Sequence, residues 1–118
     1  MKLEGRAKML RIHFGEDDKW HGKSLYHAIV EKCREMGIAG ATVYRGVEGF
    51  GASGHIRKHH FVQISSDRPI MVSVVDTEDN ISRLLPVLDE MVNEGLIAMS
   101  DVEVIKYVHP GSAVSGKE

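Results

Sequence analysis

The chain has 118 residues, 42% hydrophobic and 27% charged, with three prolines and a formal net charge of −2. That length supports one domain with a modest core, and the aliphatic content excludes a disordered chain. The slightly acidic balance excludes a global field for nucleic acid, and no apolar run approaches the roughly 20 residues a membrane span needs, so direct membrane insertion is not expected.

The first strand is expected from Lys8 to Gly15, where Leu10, Ile12 and Phe14 alternate with Arg11 and His13. A polar turn follows, and Ser24 is placed to cap a helix that starts at Leu25. Leu25, Ala28, Ile29, Cys33 and Met36 form its apolar stripe, Glu31, Lys32, Arg34 and Glu35 its wet side, and Gly37 suits a left-handed stop. Cys33 is the only cysteine, which rules out an intramolecular disulfide. With no basic-then-apolar order at the N-terminus, a reduced cytoplasmic setting is expected.

A second strand is expected over Ala41 to Gly49, then a loop from Phe50 to His60 without helical or strand period, and a short strand from Phe61 to Ile64. Asp67-Arg68-Pro69 reads as a turn and Ile70 to Val75 as a buried central strand. Thr77 or Asp79 can cap the next helix, whose core face is Ile81, Leu84, Leu85, Leu88, Met91 and Val92. Pro86 is expected to kink or interrupt it, and Gly95 to close it. Val102, Val104 and Ile105 belong to a last strand ending near Tyr107, and a polar tail from His109, expected to be mobile, completes a single domain with its core over 8–108. Strand, helix, strand, strand, helix, strand is the order of an α+β, ferredoxin-like βαββαβ sandwich: a four-stranded antiparallel sheet with two helices on one face. Apolar residues on the opposite sheet face then call for a cover, and self-association supplies one.

Residues 37–51 carry five glycines, Gly37, Gly40, Gly46, Gly49 and Gly51. Glycine in a strand loses backbone entropy on folding, so two readings stand: a bulged, twisted edge strand, or a site where a ligand approaches bare backbone. The following loop, 51–60, concentrates Arg57, Lys58 and the imidazoles of His55, His59 and His60, which suits a local phosphate site as well as it suits a solvated loop. His55, His59 and His60 have no partner at ligand spacing that would fix a metal geometry, so no metal site is assigned. Asp17, Asp18, Asp76 and Glu78 sit where helix caps and turns place carboxylates, and no nucleophile elbow or HExxH motif is present, so no catalytic residues are assigned and the chain is not read as an enzyme. RNA-binding aromatics are missing too, and no nucleic-acid partner is expected.

Gly37-Ile38-Ala39-Gly40-Ala41-Thr42-Val43 followed by Gly49-Phe50-Gly51 resembles the PII signal-transduction superfamily. The nearer resemblance is to its small uncharacterised family, a conserved domain of unknown function: an opening strand ending in Gly15-Glu16, the run Gly40-Ala41-Thr42-Val43-Tyr44-Arg45-Gly46, Gly49-Phe50-Gly51, and Asp67-Arg68-Pro69. That resemblance implies a homotrimer binding adenine nucleotides between subunits, with a loop after the second strand that reports to a partner such as a membrane transporter or an enzyme. Thr42, Gly49, Phe50 and Gly51 would then line one wall and Lys106 of a neighbouring copy the other. Arg45, Arg57, Lys58 and His55 would serve the anionic end. Residues 95–101 lack the phosphate-binding glycine and lysine pattern of PII proteins, and 51–60 has no tyrosine to modify. The implied effector is therefore a small adenine nucleotide, AMP or ADP, and no cofactor is required. The alternative is a ligand-free trimeric adaptor.

Overall fold

The computed structural model describes residues 3–51, 57–58 (backbone only) and 67–109. The expected strand at 61–64 and the tail beyond His109 lie outside them. The elements are β1 (Gly5–Gly15), β2 (Lys19–Trp20), β3 (Lys23–Ser24), α1 (Leu25–Glu35), β4 (Ala41–Arg45), β5 (Glu48–Gly49), β6 (Arg57–Lys58), β7 (Pro69–Asp76), α2 (Glu78–Met91) and β8 (Leu96–Val104). The main sheet is four-stranded in the order β4-β7-β1-β8, with every neighbouring pair antiparallel. Two helices with this sheet make the α+β ferredoxin-like fold.

Strand alternation decides which face is core. Leu10, Ile12 and Phe14 of β1 and Ile70, Val72 and Val74 of β7 point to the helices and pack with Leu25, Ala28, Ile29 and Cys33 of α1 and Ile81, Leu84, Leu88 and Met91 of α2. Ile12, Val72, Leu84 and Leu88 are fully buried, and each such aliphatic side chain contributes about 1.5–3 kcal/mol over an exposed one. Burial also pushes the Cys33 thiol up to about 11, as expected of a core cysteine. β7 is central, yet only alternate residues along it are fully buried. The other face of the sheet holds, by register, rows such as Tyr44, Met71, His13 and Leu96, of which all but Met71 are exposed.

Helix α1 ends as its sequence dictates. Gly37 takes φ +76°, its N–H donates to the Arg34 carbonyl at 3.2 Å and the Ile38 N–H to the Cys33 carbonyl at 3.0 Å, the paired bonds of a Schellman stop. At the other end Ser24 occupies the cap position without a side-chain cap bond. The Leu25 N–H goes instead to the Asp18 carbonyl at 2.8 Å, because Lys19 to Ser24 fold into a hairpin that brings Asp18 to the helix start. His21 and Gly22, at φ +49° and +83°, form its turn, both central residues having the positive φ of the mirror-image type.

Helix α2 is capped by Thr77, whose hydroxyl accepts from the Asn80 N–H at 3.2 Å. It runs unbroken through Pro86, which lies on its exposed side. The helix ends at Met91, so Gly95 does not terminate it. A Cβ on Gly95 would fall 2.3 Å from the His13 carbonyl oxygen, and close approach to β1 is what requires glycine there.

Among the described residues one carboxylate is fully buried. Asp76 accepts from the Thr77 N–H at 2.6 Å, the Ala39 N–H at 2.8 Å and the Asn80 side-chain amide at 3.0 Å. It thereby joins the end of β7, the first turn of α2 and the entry to β4, and its burial is compensated by hydrogen bonds.

Candidate functional site

At the end of the sheet formed by the last residues of β4 and β1 and the first of β7 and β8, a cavity of about 570 Å³ opens. Phe14, Tyr44, Ile70, Met71, Phe50 and Leu96 make its apolar walls, and Gly46, Gly49, Gly51 and Gly95 give it bare backbone. Its charged lining among the described residues is Arg45, Glu48 and Glu94, with His13 beside them.

The glycines divide by cause. A Cβ at Gly46 would lie 2.8 Å from the Pro69 ring, and the Gly46 N–H donates to the Pro69 carbonyl at 2.7 Å, so packing against β7 demands glycine there. At Gly49 an added Cβ would meet only ordinary contacts at 3.5 Å, and at Gly51 nothing within 4 Å. Neither has a positive φ. The described fold thus requires no glycine at 49 or 51.

Past Arg45 the chain leaves the main sheet. The expectation of one strand through Gly49 gives way to β4, a break at Gly46, and the short β5. β5 pairs antiparallel with β6, Glu48 opposite Lys58 and Gly49 opposite Arg57. The loop expected from Phe50 to His60 without strand period therefore contributes one strand, β6, to a two-stranded ribbon. Its register sets the backbone of Arg57 and Lys58 beside the glycine wall of the cavity, while His55 lies outside the described residues.

Arg45 is held from behind. Its Nη2 and Nε both donate to Glu16 Oε2, at 2.6 and 3.0 Å. That carboxylate, as hydrogen-bond acceptor first and as a charge second, raises the guanidinium above its usual value. On its other side Glu16 Oε1 lies 3.3 Å from Arg68 Nε, an ion pair without hydrogen-bond geometry: among the described residues both atoms are buried and lack a hydrogen-bond partner. The Glu16 N–H donates to the Arg68 carbonyl at 2.8 Å, which fixes the carboxylate between the two arginines. Sequence reasoning had no role for Glu16, since its partners stand 29 and 52 positions away.

Thr42 and Lys106 lie elsewhere in the chain's own fold. With Ser73, Val75 and Tyr107 they line a second cavity, of about 310 Å³, at the opposite end of the sheet. There the Tyr107 hydroxyl donates to the Ala39 carbonyl at 3.0 Å and ties the segment after β8 to the entry of β4. The site residues named from sequence thus fall into two groups in one copy: Arg45, Gly49, Phe50 and Gly51 at the first cavity, Thr42 and Lys106 at the second. Among the described residues no three His, Cys, Asp or Glu side chains are grouped to hold a metal, and no helix is long and apolar enough to cross a membrane.

The family model DUF190, described as Uncharacterized ACR, matches residues 7–104. A UPF0166 protein of Aquifex aeolicus is 41% identical over 100 residues, 85% of this chain and 94% of the relative. One from Methanocaldococcus jannaschii is 39% identical over 102 residues, 86% of this chain and 94% of the relative. Among solved structures, CPII of Thiomonas intermedia, a nitrogen regulatory PII-like protein bound to ADP, AMP and bicarbonate, is similar with a TM-score of 0.66 at 19% identity, covering 86% of this chain and 90% of that one. A putative PII-like signalling protein of Thermus thermophilus gives 0.63 at 18% identity, covering 91% and 100%. At such identities the likeness concerns the fold.

Proposed function

We propose, from the premise that the chain belongs to the DUF190 family, that it is a PII-like regulator and not an enzyme, and that it binds an AMP- or ADP-class nucleotide between the subunits of a homotrimer. The base and ribose occupy the cavity beside Tyr44, Phe50 and Gly49, and the first phosphate meets Arg57 and Lys58 on the β5–β6 ribbon. Thr42 and Lys106 come from the neighbouring copy, which accounts for their distance from the first cavity within one chain. Occupancy signals through loop 51–60, most of which lies outside the described residues, to a transporter or enzyme in the cytoplasm, a population shift.

The observation that carries this reading is the pair Gly49 and Gly51, which line the cavity although a side chain at either would meet no clash in the described fold. A ligand lying against the backbone supplies the missing reason. The fold shared with a protein solved with ADP and AMP adds support.

Thermal shift with AMP, ADP, ATP, adenosine and 2-oxoglutarate tests it: a nucleotide at about 100 times its dissociation constant adds roughly 2.7 kcal/mol of stability. The expected result is a rise with AMP and ADP that Gly51→Ala abolishes while leaving the unliganded melting temperature unchanged. No rise with any nucleotide defeats the reading. The outcome then favours the adaptor, for which Val47 and Phe50, 81% and 77% exposed beside the ribbon, are a ready protein contact.

A further inference from the structure

We infer that Glu16 sets how many phosphates the cavity accepts, by occupying the arginine that lines it. The inference rests on the nucleotide reading and adds a specificity residue to it. Arg45 is the lining guanidinium among the described residues, and Glu48 and Glu94 are carboxylates on the same lining. A free guanidinium would present its fork to a phosphate, since carboxylate and phosphate oxygens match that fork alike. Here Glu16 already takes the Nε–Nη2 edge of that guanidinium, both nitrogens donating to one of its oxygens.

Glu16 is not part of the cavity lining, and its side chain is only 13% exposed against 43% for Arg45. A ligand therefore reaches Arg45 but does not reach the group that neutralises it. The Arg68 guanidinium stands on the other side of the Glu16 carboxylate, and the Glu16 main chain is fixed by its N–H bond to the Arg68 carbonyl. A second or third phosphate thus enters a wall whose described charges are two glutamates and one spoken-for arginine. A base, a ribose and one phosphate held by the ribbon do not need Arg45. The site selects nucleotides by the counter-charge it withholds.

The test is calorimetric titration of the full chain and of Glu16→Gln with adenosine, AMP, ADP and ATP. Glutamine keeps the side-chain length and releases Arg45 from a charged partner. Adenosine is expected to bind both forms within about twofold. ADP and ATP are expected to bind Glu16→Gln about tenfold tighter or better, the size of one charge-assisted hydrogen bond gained. The double variant Glu16→Gln/Arg45→Gln is expected to lose that gain.

Equal tightening for adenosine and ATP, no tightening at all, or a gain that survives in the double variant would each overturn the inference. Wild-type binding of AMP with a flat response in Glu16→Gln removes the role of Glu16 and leaves the nucleotide reading standing. Absence of binding in every form removes both. Should Glu16→Gln unfold at the assay temperature, Glu16→Asp keeps the charge but withdraws it by one methylene, and the same ordering of ligands is expected with a smaller spread.

Discussion

Asp76→Asn preserves the shape of a fully buried side chain and removes one acceptor from it. Three donors converge on the carboxylate: Thr77 N–H and the Asn80 amide on Oδ1, and Ala39 N–H on Oδ2. An asparagine can keep the first two bonds only by turning its NH₂ toward the Ala39 N–H, donor against donor. The reverse placement keeps Ala39 and loses two. The cheaper choice forfeits one hydrogen bond to a charged group, about 1.5–3 kcal/mol, and the negative charge at the start of α2, about 0.3–1 kcal/mol. The sum is roughly 2–4 kcal/mol. For a chain of this length, with about 2.1 cal/mol/K of unfolding entropy per residue, each kcal/mol lowers the melting temperature by about 4 °C, so a fall of about 8–16 °C is expected. Urea unfolding followed by circular dichroism, at one fixed protein concentration, should show a lower midpoint with an unchanged slope. A variant within about 0.5 kcal/mol of wild type would refute the reasoning, because it would mean that desolvating the carboxylate costs as much as its three bonds return.

Gly95→Ala is expected to destabilise by about 1–3 kcal/mol, since its Cβ meets the His13 backbone at 2.3 Å and the start of β8 must shift; a thermal melt checks it, and an unchanged midpoint would show that the approach relaxes freely. The exposed pair of Lys8 and Asp101, 2.5 Å apart, gives a pH signature. Their mutual hydrogen bond lowers the Asp101 carboxyl and raises the Lys8 ammonium. The contribution of Asp101 is present above the usual carboxylate range and is lost as pH falls through its depressed value; that of Lys8 is present below 10.5 and lost as pH rises through its raised value. The melting difference between wild type and Asp101→Asn should accordingly be flat from about pH 5 to 9, shrink in acid below the usual carboxylate range, and shrink with added salt at neutral pH. A difference that persists at about pH 2 would assign it to packing.

Periodicity carried most of the fold. Leu10, Ile12 and Phe14 disclosed β1, and Gly37 disclosed the end of α1, because in both cases a local rule and the tertiary structure agree. β8 was placed too far along the chain: it ends at Val104, before the Ile105 and Tyr107 expected in it. It begins at Leu96, six residues before Val102, and its first half carries Leu96, Ala98 and Met99 largely exposed at a sheet edge, so no buried alternation marks it. Ser24 had the right residue type for a cap, but a hairpin held together by only two residue pairs moved the Asp18 carbonyl into that role. The glycine wall of the cavity was legible, since glycine is conspicuous in a strand. The acid behind Arg45 was not, because β1 and β4 stand two strands apart in the sheet and nothing local in Gly15-Glu16 tells that their ends converge. Asp76 likewise looked like an ordinary residue ahead of a helix, and its third donor, Ala39, stands 37 positions away.

The segment between Arg45 and Arg68 departs from and returns to nearly one point. Gly46 is bonded to Pro69, Glu16 bridges the two arginines, and the Asp17 N–H donates to Asp67. With both ends fastened to the same turn, changing the length between them alters only a closure entropy, about 0.6 kcal/mol for each doubling, and leaves the sheet and its helices untouched. Descendants of this scaffold are free to exchange that stretch wholesale without re-evolving a core.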